Sequence, residues 1–435
     1  MGVSTLTIGL LLQTAAAAGL ADGPALSLDQ AVARALKNQP QIQQAQASTD
    51  AARARADQAF SGLMPQVTGV GTYSRSTSNF APSPGSVPSQ LQSSRSANFK
   101  TSDYFNFGLT GSILVYDFGQ TRGRWHAAEA NVDSQEASLY ATRTQIVLSV
   151  RTAYFQARAQ KALLDVAQQT LSNQDKHLQQ IEGFVQAGSR PEIDLAQAKS
   201  DRASAELQVI NAQNAFDTAR AQLSQAIGED EPVFYDVADD TLAPVSGEDG
   251  PVAVLADTAY ANRPDLRALR RQEDAQRITV SATKAAYAPS LGVSTGLTEA
   301  GPQLDSLVWN WNVKATLTWQ IYQGGLVPAQ VREAEANLSG TLAQERLLRQ
   351  QIRFDVEQAF LAAKAAKAAE TSAEVAAANA RERYRLAEGR YQSGVGSIIE
   401  LGDAQVALSN ALAQSVQADY GLATARAQLL RALGQ

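Results

Sequence analysis

The sequence predicts an α plus membrane β-barrel fold, built from one strand-and-helix unit written twice. Three observations carry this prediction. Landmark motifs recur in the same order in both halves of the chain. Each half holds two segments of about ten residues that alternate between apolar and polar side chains, the pattern of barrel strands between lipid and water. Each half also holds a very long run without glycine or proline, the mark of a helix longer than a globular core requires.

Composition agrees with this. Alanine and glutamine are abundant and aromatic residues make up 6% of the chain, a bias that suits long helices packed through small side chains. The formal charge is −6, with acidic and basic residues interspersed, so a nucleic-acid surface is not indicated. There is no cysteine, which removes thiol catalysis, zinc ribbons, disulfides and the lipidated cysteine of a lipoprotein anchor. The two histidines, His126 and His177, fall on one predicted helix about fourteen turns apart. They read as helix-surface residues, and no metal or cofactor site is expected. An apolar stretch from Leu6 to Leu20 is too short to span a bilayer and suits a secretory signal over residues 1–21, with cleavage near Ala18 or Ala21.

The duplication is read from motifs. "RALKNQPQIQQA" is echoed by "AYANRPDLRAL", aligning Asn38 with Asn262 and Pro40 with Pro264. "LMPQVTGV" is echoed by "YAPSLGVS", and "SILVYDFGQ" by "LTWQIYQGG". "VQAGSRPEIDLAQA" is echoed by "YQSGVGSIIELGDA", pairing Gly188 with Gly394 and Asp194 with Glu400. The copies close on "LSQAIG" and "LLRALG". This divides the chain into a first copy over residues 22–228, a linker over 229–250 and a second copy over 251–435.

Each copy reads as helix, two strands, long helix, break, helix. From Trp309 to Ile321 every second residue is apolar and the intervening ones are polar. The counterpart alternates Phe105, Phe107, Leu109, Gly111, Ile113 and Val115 against Asn106, Gly108, Thr110 and Ser112. The first strands are Leu291–Leu297 and Val67–Tyr73, again at every second position. Three of the four tryptophans, Trp309, Trp311 and Trp319, share one apolar face. With Phe105 and Phe107 they fit an aromatic girdle facing lipid. Two strands per copy are too few for a sandwich core but suffice as staves of a shared barrel. The loop of the first hairpin is long and rich in Ser and Pro, that of the second is short.

No glycine or proline interrupts Trp125–Glu182 or Thr341–Glu388, and with their flanks these runs reach about 100 Å as helix. The helices that follow carry seams at 3/4 spacing, from Leu195 to Ala226 and from Leu401 to Ala432, as in left-handed supercoils. Gly188–Pro191 and Gly394–Gly396 break each long helix and turn it back on the next.

These motifs, in their duplicated order, resemble the outer membrane efflux protein family over nearly the whole mature chain. The resemblance rests on the paired "NxP", "MPQV" and "APSL", "YDFG" and "YQGG", and "AGSRPEIDL" and "SGVGSIIEL" segments. It implies a homotrimer in which four strands per protomer close one twelve-stranded outer-membrane barrel, continued by an α-helical tunnel through the periplasm. It implies docking to a periplasmic adaptor protein and an inner-membrane transporter, with drugs or secreted proteins as cargo, and no enzymatic activity. A surface-exposed trimeric coiled coil of structural or adhesive kind is the alternative.

The resemblance also points to the helix turns as the narrow inner entrance. Glu400 and Asp403 stand at the family's acidic positions there, and Asp194 matches Glu400 in the first copy. Glu400 and Asp403 are three apart and share a helix face. In a trimer they would form stacked carboxylate rings that favour cations. Acids at a helix N-terminus are also favoured by the macrodipole, an alternative reading for Asp194 and Glu400. Tyr391 matches a family tyrosine that ties neighbouring coiled coils to an arginine. That arginine position is Gly396 here, with Arg190 and Arg390 as nearby alternatives.

Overall fold

The computed structural model describes residues 25–77, 99–229, 235–393 and 395–435. The signal segment, Gly394, most of the first hairpin loop and part of the linker lie outside the described residues. The elements run β1 (Ala25–Leu26), α1 (Leu28–Asn38), α2 (Pro40–Ser61), β2 (Gln66–Thr77), β3 (Thr101–Tyr116), α3 (Gln120–Gln186) and α4 (Glu192–Ile227). After the short strand β4 (Asp236–Val237) the same order repeats as α5 (Val252–Asn262), α6 (Pro264–Lys284), β5 (Ser290–Gly301), β6 (Val308–Thr318), α7 (Leu326–Gln392) and α8 (Ile398–Ala432). They form two compact bodies. One comprises Ala45–Tyr140 and Pro264–Gln350; the other comprises the chain up to Gln44, Ala141–Arg263 and Gln351–Gln435.

The first body holds a four-stranded antiparallel sheet in the order β2-β3-β5-β6. Its register puts the apolar alternations of all four strands on one face. Val67, Gly111, Thr295 and Val313 form one row, and Gly69, Leu109, Leu297 and Trp311 the next. In the third row, Gly71, Phe107, Glu299 and Trp309, a single carboxylate stands among the aromatics. Phe105 lies opposite Tyr73 with ring centroids 5.0 Å apart. The expected place of Val115 on this face is corrected by a bulge. Ile113 faces Val293, Leu114 faces Gly292, and Tyr116 faces Leu291, so the extra residue passes the apolar position to Tyr116.

Trp309 and Trp311 lie on β6, whereas Trp319 follows its last residue and donates its indole N–H to Tyr287 O at 3.1 Å. Ten residues separate the outer two tryptophans, about 33 Å at ~3.3 Å per residue. A strand tilt of ~40° projects this to ~25 Å, the height of the apolar band of a membrane barrel.

Beneath the sheet the strand-to-helix turns explain the "YDFG" and "YQGG" motifs. Phe118 and Gly119 take φ of 56° and 91°, and Gly324 and Gly325 take 62° and 84°. Each turn thus needs two successive left-handed residues, a conformation glycine adopts without penalty. Asp117 steadies the first turn by accepting the Gly119 N–H at 3.2 Å and the Thr121 N–H at 2.7 Å. In the same body α3 meets α6 through Ser134 Oγ, which donates to Ala268 O at 2.8 Å.

In the second body the seams predicted at 3/4 spacing are the buried stripes of α4 and α8. Ala198, Ala205, Phe216, Ala219 and Leu223 are buried on α4, and Leu401, Ala404, Leu408, Leu422 and Leu429 on α8. The "NxP" motif is a helix break. Gln39 and Arg263 are extended, with ψ of 120° and 122°, because a following proline disfavours the helical region. Each break receives the end of its copy's last helix. Gly228 and Gly434 take φ of 83° and 84°, and a Cβ there would stand 3.0 Å from Gln39 Cα or 2.9 Å from Arg263 Cα. Gln39 Nε2 also donates to the carbonyls of Gln225 at 3.0 Å and Ala226 at 2.8 Å, filling acceptors that a helix end leaves open.

The inter-repeat linker is tied down more firmly than its composition suggests. β4 pairs in parallel with β1, Ala25 opposite Asp236 and Leu26 opposite Val237. The hydroxyl of fully buried Tyr154 lies 3.1 Å from Leu26 O, 2.9 Å from Ala238 O and 3.1 Å from Asp240 Oδ2. Asp240 in turn accepts the Leu28 N–H at 2.8 Å. Glu248 accepts two hydrogen bonds from Arg426, at 2.9 and 3.1 Å, and one from the Val245 N–H at 2.8 Å.

Candidate functional site at the helix turns

The two long helices end at turns that share one hydrogen bond, from the Ser189 N–H to Phe184 O and from the Val395 N–H to Arg390 O. After α3, Gly188 takes φ of 72°, its N–H donates to Val185 O, and the Ser189 N–H reaches back to Phe184 O. This pairing satisfies the last carbonyls of the helix and reverses the chain. After α7 the N–H groups of Val395 and Gly396 both donate to Arg390 O, at 3.1 and 2.9 Å. Pro191 then precedes α4 without a side-chain cap, while Ser397 caps α8 by accepting the Ile399 N–H at 3.2 Å.

Gly396 is here for steric reasons. A Cβ would stand 2.8 Å from Tyr391 N and 2.9 Å from Arg390 C, so the turn leaves no room for an arginine at this position. Arginines reach the same neighbourhood from elsewhere. The Arg190 guanidinium lies over the Tyr391 ring, 5.7 Å from its centroid, and 3.5 Å from Asp194 Oδ2. Arg390 Nη1 lies 3.2 Å from Glu400 Oε1.

The acidic positions therefore separate. Asp194 and Asp403 line one groove of about 880 Å³ in the second body, together with Asp201 and His177. Glu400 does not line that groove and is paired with Arg390. Asp403 is exposed and forms no ion pair among the described residues. Asp201 was missed in the sequence, although it stands seven residues after Asp194 and so shares its helix face.

His177, expected at the helix surface, is half-buried along that groove. Its ring lies 5.4 Å from that of buried Tyr391. Burial lowers its pKa below the usual histidine value, nearby Asp201 opposes this and Arg190 reinforces it. Burial likewise raises the Tyr391 hydroxyl. Three buried polar atoms at this place, His177 Nδ1, Tyr391 Oη and Gln405 Oε1, find no hydrogen-bond partner among the described residues. His126 does lie at the surface, 2.9 Å from Glu129.

A sheet with one largely apolar face, joined to two 67-residue helices that reverse at matched turns, defines a channel of the barrel-and-tunnel class. The chain belongs to the outer membrane efflux protein family, whose model matches residues 31–229 and 255–435. Among its relatives, the Escherichia coli outer membrane protein TolC is 23% identical over 431 residues, covering 94% of this chain and 82% of TolC. The solvent efflux pump outer membrane protein SrpC of Pseudomonas putida is 26% identical over 340 residues, covering 76% of this chain and 71% of SrpC. Among solved structures, the Campylobacter jejuni CmeC outer membrane channel superposes with a TM-score of 0.79 at 20% identity, covering 94% of this chain and 85% of CmeC.

Proposed function

We propose that this chain is one protomer of a homotrimeric outer-membrane exit duct for a tripartite efflux pump. The observation that carries this reading is the protomer's sheet. It presents one largely apolar face and leaves both edge strands, β2 and β6, without a partner among the described residues. Exposed backbone donors and acceptors are not tolerated in hydrocarbon, so such edges must close into a barrel. Exposed apolar residues on the tunnel helices, among them Leu207, Ile210 and Val406, suit burial against neighbouring copies. The duct is a passive conduit without catalysis of its own, opened by a periplasmic adaptor and an inner-membrane transporter. Residues 22–228 and 251–435 are its two copies, and 229–250 connects them.

SrpC is named as part of a solvent efflux pump, and further relatives as parts of toluene, antibiotic and pyoverdine export systems, which favours small organic molecules over proteins as cargo. Asp194, Glu400 and Asp403 constrict the periplasmic entrance, with Tyr391 as a gate contact and Gly188, Pro191 and Gly396 shaping the turns. Trp309, Trp311, Trp319, Phe105 and Phe107 form the lipid-facing girdle. Reconstitution into planar bilayers tests the duct. Discrete conductance from a trimeric species supports it, and a water-soluble, non-conducting trimer would instead indicate a structural coiled coil.

A further inference from the structure

The seam between protomers can be worked out from the register within one. Resting on the trimeric duct reading, we propose that β6 of one copy pairs with β2 of the next so that Arg75 lies against the neighbouring copy's Trp309–Trp311 pair. Successive strands in the order β2-β3-β5-β6 are antiparallel, so β6 is antiparallel to an incoming β2 and the ladder continues without a change of direction. The stagger accumulated around a closed barrel must be even, or the apolar face would flip from lipid to lumen. Threefold symmetry requires that it also divide by three. With about twelve strands spaced ~4.8 Å apart and rising ~3.3 Å per residue, a total stagger of about 12 gives a tilt near 35°, and about 18 gives one near 46°. These bracket the usual range, so each seam is offset by about four or about six residues.

The direction of the offset is set by what must pair. Without an offset, the rows put Trp311 level with Gly69 and Trp309 level with Gly71. An offset one way would lay β6 against Pro65 and the end of α2, leaving its ladder open. The other way lays it along the whole of β2. The smaller offset then sets Trp309 opposite Arg75, Trp311 opposite Tyr73 and Val313 opposite Gly71. The larger sets Trp311 opposite Arg75 and Val313 opposite Tyr73. In either case one tryptophan faces Arg75 directly and the other lies on the diagonal, within reach of so long a side chain.

The groups suit one another. Arg75 is on the same face as Tyr73, at the end of β2, with its Nε donating to Thr101 Oγ1 at 2.9 Å and lying 3.5 Å from Asp103 Oδ1. Its side chain is 61% exposed, and Trp309 and Trp311 are 69% and 62% exposed in the single protomer. A guanidinium fixed along one edge and set over an indole face is a favourable cation–π arrangement. It would close the seam with groups that no other strand pair of the sheet combines.

The absence of cysteine makes cross-linking a direct test on the full-length protein in outer membranes. Directly opposed residues bring their Cα atoms within disulfide range. Oxidation of the double variants Gly71→Cys with Val313→Cys, and Tyr73→Cys with Val313→Cys, is expected to give reducible covalent trimers from one of the two. A cross-link only from Val67→Cys with Val313→Cys, the unstaggered pair, would overturn the proposal. So would the lack of any cross-link in a protein that native mass measurement finds trimeric. A monomer by that measurement refutes the trimeric duct itself, and the seam with it. As a second readout, Arg75→Gln is expected to lower the temperature at which the detergent-solubilised trimer dissociates, with an unchanged temperature refuting the Arg75 contact.

Discussion

At Gly396 the chain has no space for any side chain, because the turn after α7 folds Tyr391 N to within 2.8 Å of where a Cβ would be. Gly396→Ala is expected to destabilise the turn by about 1–3 kcal/mol, the usual cost of forcing bulk into a packed place, and faster limited proteolysis between α7 and α8 would reveal it. His177 offers a pH signature. Burial holds its folded pKa below the ordinary value, so the unfolded chain binds the proton more readily. Its stabilising contribution is complete above about pH 6.5 and is lost as pH falls from there through the folded pKa. Thermal melting followed from neutral pH down to about 5 should show a steeper loss in the wild type than in His177→Gln.

Among the elements, the paired helix breaks have the clearest consequence. Gly228 and Gly434 are left-handed and abut Gln39 and Arg263, so alanine meets both a conformational cost of about 1–2 kcal/mol and a contact that backbone atoms must yield to. Gly228→Ala and Gly434→Ala are each expected to lower the melting temperature, and hydrogen exchange should locate the loosening at the α1–α2 or α5–α6 break. Asp117→Ala should act more locally. It removes an acceptor for the Gly119 and Thr121 N–H groups, at about 1 kcal/mol, and should raise amide exchange at Thr121. The second copy has Gln323 at the corresponding place and relies on two glycines instead.

For the whole molecule, the proposed entrance acids are already unequal within one protomer. Glu400 lies 3.2 Å from Arg390, which offsets its charge, while Asp403 lies exposed without an ion pair among the described residues. Reversal potentials in a salt gradient across planar bilayers should therefore shift further from cation selectivity with Asp403→Asn than with Glu400→Gln. Arg390→Ala should strengthen cation selectivity by releasing the Glu400 charge. Equal effects from the two carboxylates would show that the Arg390 pair does not persist in the open duct.

The sequence by itself determined the duplication, the four strands with their apolar face, the uninterrupted helices and the places where they turn. Each of these depends on local periodicity or on residues with restricted backbones, such as Pro40, Pro264, Gly188 and Gly228, and such signals need no knowledge of distant partners. The tertiary structure alone decided the rest. It set the bulge that gives Tyr116 the place of Val115, because a bulge depends on the register of a neighbouring strand. It tied the linker to Leu26 and Leu28 through Tyr154 and Asp240, and it set the half-buried His177 against Tyr391. It also separated Glu400 from the groove that Asp194, Asp201 and Asp403 share. Most of these depend on residues far apart in the chain, and which carboxylate meets which guanidinium follows from packing that no spacing along the sequence records.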